Sequence, residues 1–182
     1  ISGAIADRAK FSAWAVFVPV WVTLVYCPLA FMVWGGGLLG EEGAIGSVVG
    51  EAIDFAGGTV VHINAGVAAL VLALIIGKRK GFGKDPSQRP HNIPFVMLGA
   101  TLLWFGWFGF NGGAAGSAEE AGLIWVNTMA APAAAMVGWL LTERIRDGRP
   151  TSLGAASGIV AGLVAITPAC ASVSPLGALG LG

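Results

Sequence analysis

The residue in this sequence most able to do chemistry is a histidine set inside a long apolar run. The stretch is Asp54-Phe55-Ala56-Gly57-Gly58-Thr59-Val60-Val61-His62-Ile63-Asn64-Ala65-Gly66, and it opens a run that reaches Ile76. An imidazole can accept and donate hydrogen bonds and relay a proton near neutral pH. On a helix, His62 shares its face with the residues three and four away, Gly58, Thr59, Ala65 and Gly66, all of them small. That leaves room along the helix for a second polar group, a file of water or a small solute. An ionisable group inside a membrane span is costly and marks a functional site. The competing reading is structural: the small residues serve close helix packing and His62 bonds to a neighbouring helix. The stretch alone leaves both readings open.

Three other residues invite a role. Asp54, at the head of the same stretch, is placed to cap the helix by accepting from the free N–H groups of its first turn, a structural role near any pathway that His62 lines. Trp34 precedes Gly35-Gly36-Gly37 and offers either a cation–π face for a small cation or an interfacial anchor. Phe110 lies in Leu103-Trp104-Phe105-Gly106-Trp107-Phe108-Gly109-Phe110-Asn111-Gly112-Gly113. With Gly106 below and Gly113 above, its ring could narrow a pore mouth; belt or packing roles remain open for Trp104 and Trp107. His91, between Pro90 and Asn92, reads as a loop or helix-start residue. Enzyme signatures are missing: there is no HExxH, GxSxG, CxxC pair or GxxxxGK[ST], and a lone histidine without a Ser or Cys partner is a poor catalytic site. No catalytic residue, metal site or cofactor is expected.

The elements that position these residues follow from composition. Of 182 residues, 55% are hydrophobic and only 11% charged, with a mean hydropathy of +0.78, whereas a water-soluble domain carries about 25% charged residues. The chain is expected to be an all-α polytopic membrane protein. Its 29 glycines suit close helix–helix packing. Cys27 and Cys170, both in apolar surroundings, are expected to be free buried thiols. The zero net charge gives no pointer to nucleic acid. The chain starts at Ile1 rather than Met and stops on Leu181-Gly182 within an apolar stretch, so it reads as an internal piece of a longer protein.

A span needs about 20 apolar residues. Five complete spans are expected: Phe11 to Trp34, Asp54 or Phe55 to Ile76, Ile93 to Gly112, Gly122 to Leu141, and Ser152 to Pro168. Ile1 to Ala6 reads as the tail of a preceding span, and Pro175 begins another. With these spans, all ten basic residues fall on one side: Arg8 and Lys10; Lys78, Arg79, Lys80, Lys84 and Arg89; Arg144, Arg146 and Arg149. The opposite side carries Glu41, Glu42, Glu51, Glu119 and Glu120. The positive-inside rule makes the basic side cytoplasmic. His62, eight residues beyond Asp54, is then about 12 Å along the axis, near the middle of a core about 30 Å thick.

Several blocks carry a resemblance to a known family: Met32-Val33-Trp34-Gly35-Gly36-Gly37, Asp54 through Ala65, Gly77-Lys78-Arg79, Pro90-His91-Asn92, Gly106-Trp107-Phe108-Gly109-Phe110-Asn111 and Ile166-Thr167-Pro168-Ala169-Cys170. In order and spacing, over nearly the whole chain, they resemble the ammonium transporter (Amt/Mep/Rh) family, and its Amt/Mep branch in particular. The resemblance implies that residues 1–182 are an incomplete ammonium transporter domain, from the end of the third helix to the start of the ninth in an eleven-helix fold. It implies a homotrimer with one pore per subunit, in the plasma (inner) membrane. It makes His62 the first of two pore histidines, Trp34 the tryptophan of the outer recruitment site, and Phe110 one of two stacked gate phenylalanines. The second histidine and second phenylalanine fall outside the chain. Many members carry a serine four residues after the gate phenylalanine; here that position is Ala114, and Ser117 is no obvious substitute.

The function so implied is conduction of ammonium or ammonia, or of methylammonium as an analogue, through a hydrophobic pore. With its basic cytoplasmic loops, the chain also makes a PII-type signalling protein a candidate partner. The alternative is an ammonium sensor, or an Amt-like domain fused to a signalling module, which the full-length C-terminus would reveal. The Trp34 and Gly106–Asn111 blocks argue against a Rh-type gas channel, and a membrane enzyme lacks a second catalytic group.

Overall fold

The structure, a computed structural model, describes residues 1–84 and 90–182. Arg89, counted above among the basic loop residues, lies outside the described residues. All regular structure among the described residues is helical. Among the described residues, five helices are long and apolar enough to cross a membrane: Phe11–Trp34, Gly58–Ile76, Ile93–Gly112, Ala118–Asp147 and Ser152–Ala169, the first to fifth spans in chain order. Large apolar side chains such as Leu24, Leu74 and Phe105 are exposed on them. Helices whose outer faces meet hydrocarbon show this pattern, because lipid gives no reason to turn leucine inward. The chain divides into two compact units, Ile1–Ile53 with Thr59–Gln88, and Asp54–Gly58 with Arg89–Gly182.

In the first unit, the residues ahead of the first span form a 3-10 turn, Ser2–Ala4. Its i→i+3 bonds run from the Ala4 N–H to Ile1 O and from the Ile5 N–H to Ser2 O. The first span is α-helical over Phe11–Trp21, widens to a π-helix over Val22–Tyr26, and returns to α over Cys27–Trp34. Pro28 explains the widening: it offers no N–H to the preceding turn, and its ring crowds the carbonyl of Leu24, four residues back. Thr23 Oγ1 donates to Pro19 O at 2.8 Å, filling an acceptor at the other proline. The rings of Trp14, Phe17, Trp21 and Tyr26 form a ladder with successive centroids 5.6, 6.4 and 6.3 Å apart. At the C-terminal end of the second span, Arg8 donates to the carbonyls of Gly77 and Ala4, and Arg79 pairs with Asp7 at 3.5 Å. A cation on the last carbonyls of a helix suits its dipole.

In the second unit, each helix start has the cap its sequence calls for. Asn92 accepts from the Phe95 N–H, Ser117 from Glu120, Thr151 from Gly154 and Ser174 from Gly177. The fourth span is longer than the expected Gly122 to Leu141. Its helix begins at Ala118, so Glu119 and Glu120 lie in the first turn, and it ends at Asp147, so Arg144 and Arg146 lie in the last. Acids at the N-terminus and bases at the C-terminus favour the helix on both sides of the apolar window; hydropathy marks the window and not the helix. The fourth and fifth spans meet through glycine. A Cβ at Gly158 would lie 2.7 Å from Met136 Cα, and one at Gly162 2.6 Å from Pro132 Cα, the backbone approach that small residues permit. The core is Ile124, Ala131, Ile166, Cys170 and Ala178, with Phe55 and Ala56 packed on it.

Candidate functional site

Trp34 and His62 belong to the first unit, Asp54 and Phe110 to the second. Trp34 is the last helical residue of the first span, and it is 48% exposed. The chain reverses directly after it. Gly36 takes φ +79°, the Gly37 N–H donates to Phe31 O at 3.1 Å, and the Leu39 N–H donates to Met32 O at 2.9 Å. A Cβ at Gly37 would come within 2.6 Å of Met32 Cα. The glycines thus fold the loop down beside the helix end and leave the indole accessible.

The second span begins at Gly58, not at Asp54 or Phe55. Gly57 has φ +105°, outside the helical region, and the Phe55 N–H is taken by Pro168 O at 2.9 Å. Asp54 is buried, and its Oδ1 accepts from the Gly57 N–H at 3.1 Å. The carboxylate therefore caps the turn that feeds the helix, one element earlier than expected.

His62 stands four residues into the helix rather than eight, within a π-helical segment, Gly58–Ile63. It is half-buried, and its Nε2 is shielded from solvent. That segment departs from the α-spacing assumed for the face of His62. Space is kept on one side only. A Cβ at Gly66 would meet nothing within 4 Å, whereas one at Gly58 would run into Pro168. Asn64 is buried, and its Nδ2 donates back to Val60 O at 3.2 Å, filling an acceptor in the distorted turn.

Phe110 is 43% exposed, and its ring pairs with Trp107 at 5.2 Å and 50°. Trp107 in turn donates its Nε1–H to Thr167 Oγ1 at 2.9 Å, and that hydroxyl donates to Leu163 O at 2.7 Å. Trp104 donates to Thr128 O at 3.1 Å. Both indoles are thus tied to neighbouring segments by their N–H groups. Ala114 is exposed just past the third span. Ser117 Oγ caps the fourth span, and Glu120 closes the same start by accepting from the Gly116 N–H at 2.6 Å. Cys27 and Cys170 are unbridged; Cys170 is buried as expected, while Cys27 is exposed because its helix face carries no partner from this unit. Among the described residues, no cluster of three or more His, Cys, Asp or Glu is placed to hold a metal.

Sequence reasoning used Ile166–Cys170 only for the resemblance and gave no role to the turn Thr167–Ala169 or to the polar residues that brace it. Thr167 and Asn127 are fully buried, and Asn127 Nδ2 donates to both Cys170 O and Val173 O at 2.8 Å. The available signal was an asparagine within an apolar span, together with a Thr-Pro pair ending a Gly/Ala-rich one.

The Ammonium Transporter Family model matches residues 1–182. The chain is 61% identical over 186 residues to an ammonium transporter of Mycobacterium tuberculosis, covering 100% of this chain and 38% of the relative. It is 52% identical over 183 residues to one from Aquifex aeolicus, with 100% and 40% covered. Among solved structures, Candida albicans Mep2 superposes with a TM-score of 0.86 at 39% identity, over 99% of this chain and 39% of that one. The chain spans about two fifths of the length of these relatives.

Proposed function

Since the chain belongs to the Ammonium Transporter Family, we propose that the protein containing it conducts ammonium or ammonia across a membrane through an apolar pathway that carries His62. The observation behind this reading is His62 itself, the one ionisable side chain on the span Gly58–Ile76. An apolar passage rejects ions, because a buried unpaired charge costs several kcal/mol. Ammonium escapes that cost by giving up a proton and crossing as ammonia; potassium has no proton to give. His62 would orient the ammonia and pass protons with a partner supplied from outside this chain.

Upstream of His62, Trp34 would hold the cation by its ring face, worth roughly 0.5–2 kcal/mol, and the acidic outer segments would raise its local concentration. Phe110, backed by Trp107, would narrow the way in. Asp54 would hold the turn that starts the His62 helix. In this reading residues 1–182 are part of an ammonium transporter domain that assembles as a homotrimer in the plasma membrane, with the basic segments in the cytoplasm and open to a PII-type partner.

The curated relatives from Mycobacterium tuberculosis and Aquifex aeolicus are named ammonium transporters, while one solved structure, at 32% identity and a TM-score of 0.80, is titled a sensor Amt protein. The test is the full-length protein in proteoliposomes, with ammonium and potassium supplied in separate runs. Ammonium-dependent current without potassium current supports the proposal. No flux of ammonium or methylammonium under any gradient would sink it and favour the sensor alternative. A pull-down of the full-length protein with a PII-type protein, with and without ATP and 2-oxoglutarate, tests the partner; no capture in any condition rejects it.

A further inference from the structure

Asn127 is fully buried on the fourth span, and its amide is used asymmetrically. The Nδ2 group donates to Cys170 O and Val173 O, both at 2.8 Å, while Oδ1 is buried with no hydrogen-bond partner among the described residues. An oxygen left in that state is costly, and an apolar side chain of similar volume would avoid the cost. The amide is therefore held there by what its two N–H groups do. They fill the carbonyl of Cys170, just past the fifth span where a helix runs out of intrahelical donors, and that of Val173 in the bend that follows.

The segment they hold also touches Phe55 and Gly58, and Gly58 is where the span that carries His62 begins. Pro168 stands two residues before Cys170. Its carbonyl accepts from the Phe55 N–H at 2.9 Å, and its ring fills the space that a Cβ at Gly58 would occupy. Gly58 is the first residue of the π-helical segment Gly58–Ile63 that carries His62. From this chain of contacts, Asn127 to Cys170 and Val173, the turn to Pro168, and Pro168 to Phe55 and Gly58, we infer that Asn127 is a positioning residue for the start of the His62 helix. It touches no substrate; it fixes the turn on which that helix begins.

This inference rests on the transport reading only for its effect on flux. Its structural half is tested separately, by hydrogen exchange of the full-length protein in lipid nanodiscs. In Asn127→Leu the Phe55 amide should exchange about tenfold faster, the loss expected for a weakened hydrogen bond, while amides of the fourth span near Ala131 keep their protection. In proteoliposomes the same variant should lose maximal methylammonium flux and keep its half-saturation concentration, because Trp34 is untouched. Unchanged exchange at Phe55, or a rise shared by the whole fourth span, overturns the inference. If Asn127→Leu does not assemble, Pro168→Ala takes its place: it removes the ring beneath Gly58 and should lower maximal flux at constant half-saturation, and full flux would overturn the inference. A parent protein that moves no ammonium refutes the transport reading and leaves the exchange result to decide the positioning role.

Discussion

Gly58 sits against the ring of Pro168 so closely that a Cβ on it would lie 2.5, 2.6 and 2.8 Å from the ring's Cβ, Cγ and Cδ. A proline ring cannot swing aside as a flexible side chain can. Gly58→Ala should therefore destabilise the full-length protein by about 1–3 kcal/mol, the usual cost of overpacking. Gly99→Ala is the control: a Cβ there meets nothing within 4 Å, and alanine is the better helix former by up to about 1 kcal/mol. Thermal unfolding in detergent separates the two, and equal midpoints would mean that the turn yields.

For His62, the chemistry predicts two different failures. His62→Asn keeps a polar group but cannot relay a proton, so ammonium current should fall. His62→Glu keeps a titratable group and adds negative charge in the span, so potassium should begin to compete. Both variants should still assemble. Currents measured with each cation alone decide it, and unchanged selectivity in both variants would put the chemistry elsewhere.

Trp34→Leu should raise the half-saturation concentration for methylammonium by about two- to thirtyfold, the range that 0.5–2 kcal/mol of cation–π attraction implies. Maximal flux should stay close to the parent value. Uptake assays at low and saturating methylammonium give both numbers, and identical kinetics would reduce Trp34 to an interfacial anchor.

The hydroxyls near Phe110 should separate binding from folding. Ser117→Ala removes a helix cap and should cost about 1 kcal/mol of stability without moving the half-saturation concentration. Ala114→Ser places a hydroxyl four residues after Phe110 and should lower that concentration. A Ser117→Ala variant with weakened methylammonium affinity would reverse these roles.

The spans were readable because hydropathy reports where hydrocarbon lies, and Phe11 to Trp34 and Ile93 to Gly112 were bounded to the residue. Helix ends outside the hydrocarbon are set by other forces. Phe55 and Ala56 are as apolar as the span they precede, but Gly57 at φ +105° keeps them out of the helix. Glu119 and Arg146 are charged and yet helical. Among site residues, His62 and Trp34 stood out by type. The brace around Thr167 did not, because Trp107, Thr167 and Asn127 come together only through tertiary contacts between positions 60 and 43 residues apart.

The π-helical turn at Val22–Tyr26 makes the first span sensitive to length. Trp21 and Tyr26 face each other at 6.3 Å although five positions separate them, a spacing that would set them about 140° apart on an ordinary α-helix. Deleting one residue from that turn would let the helix tighten, and everything from Cys27 to Trp34 would swing by about 100°. The Trp34 indole at the C-terminal end would then point in a new direction with its own sequence neighbours unaltered. Substitutions along this helix can therefore accumulate one letter at a time, while the loss of a single codon upstream would act on Trp34 from two turns away.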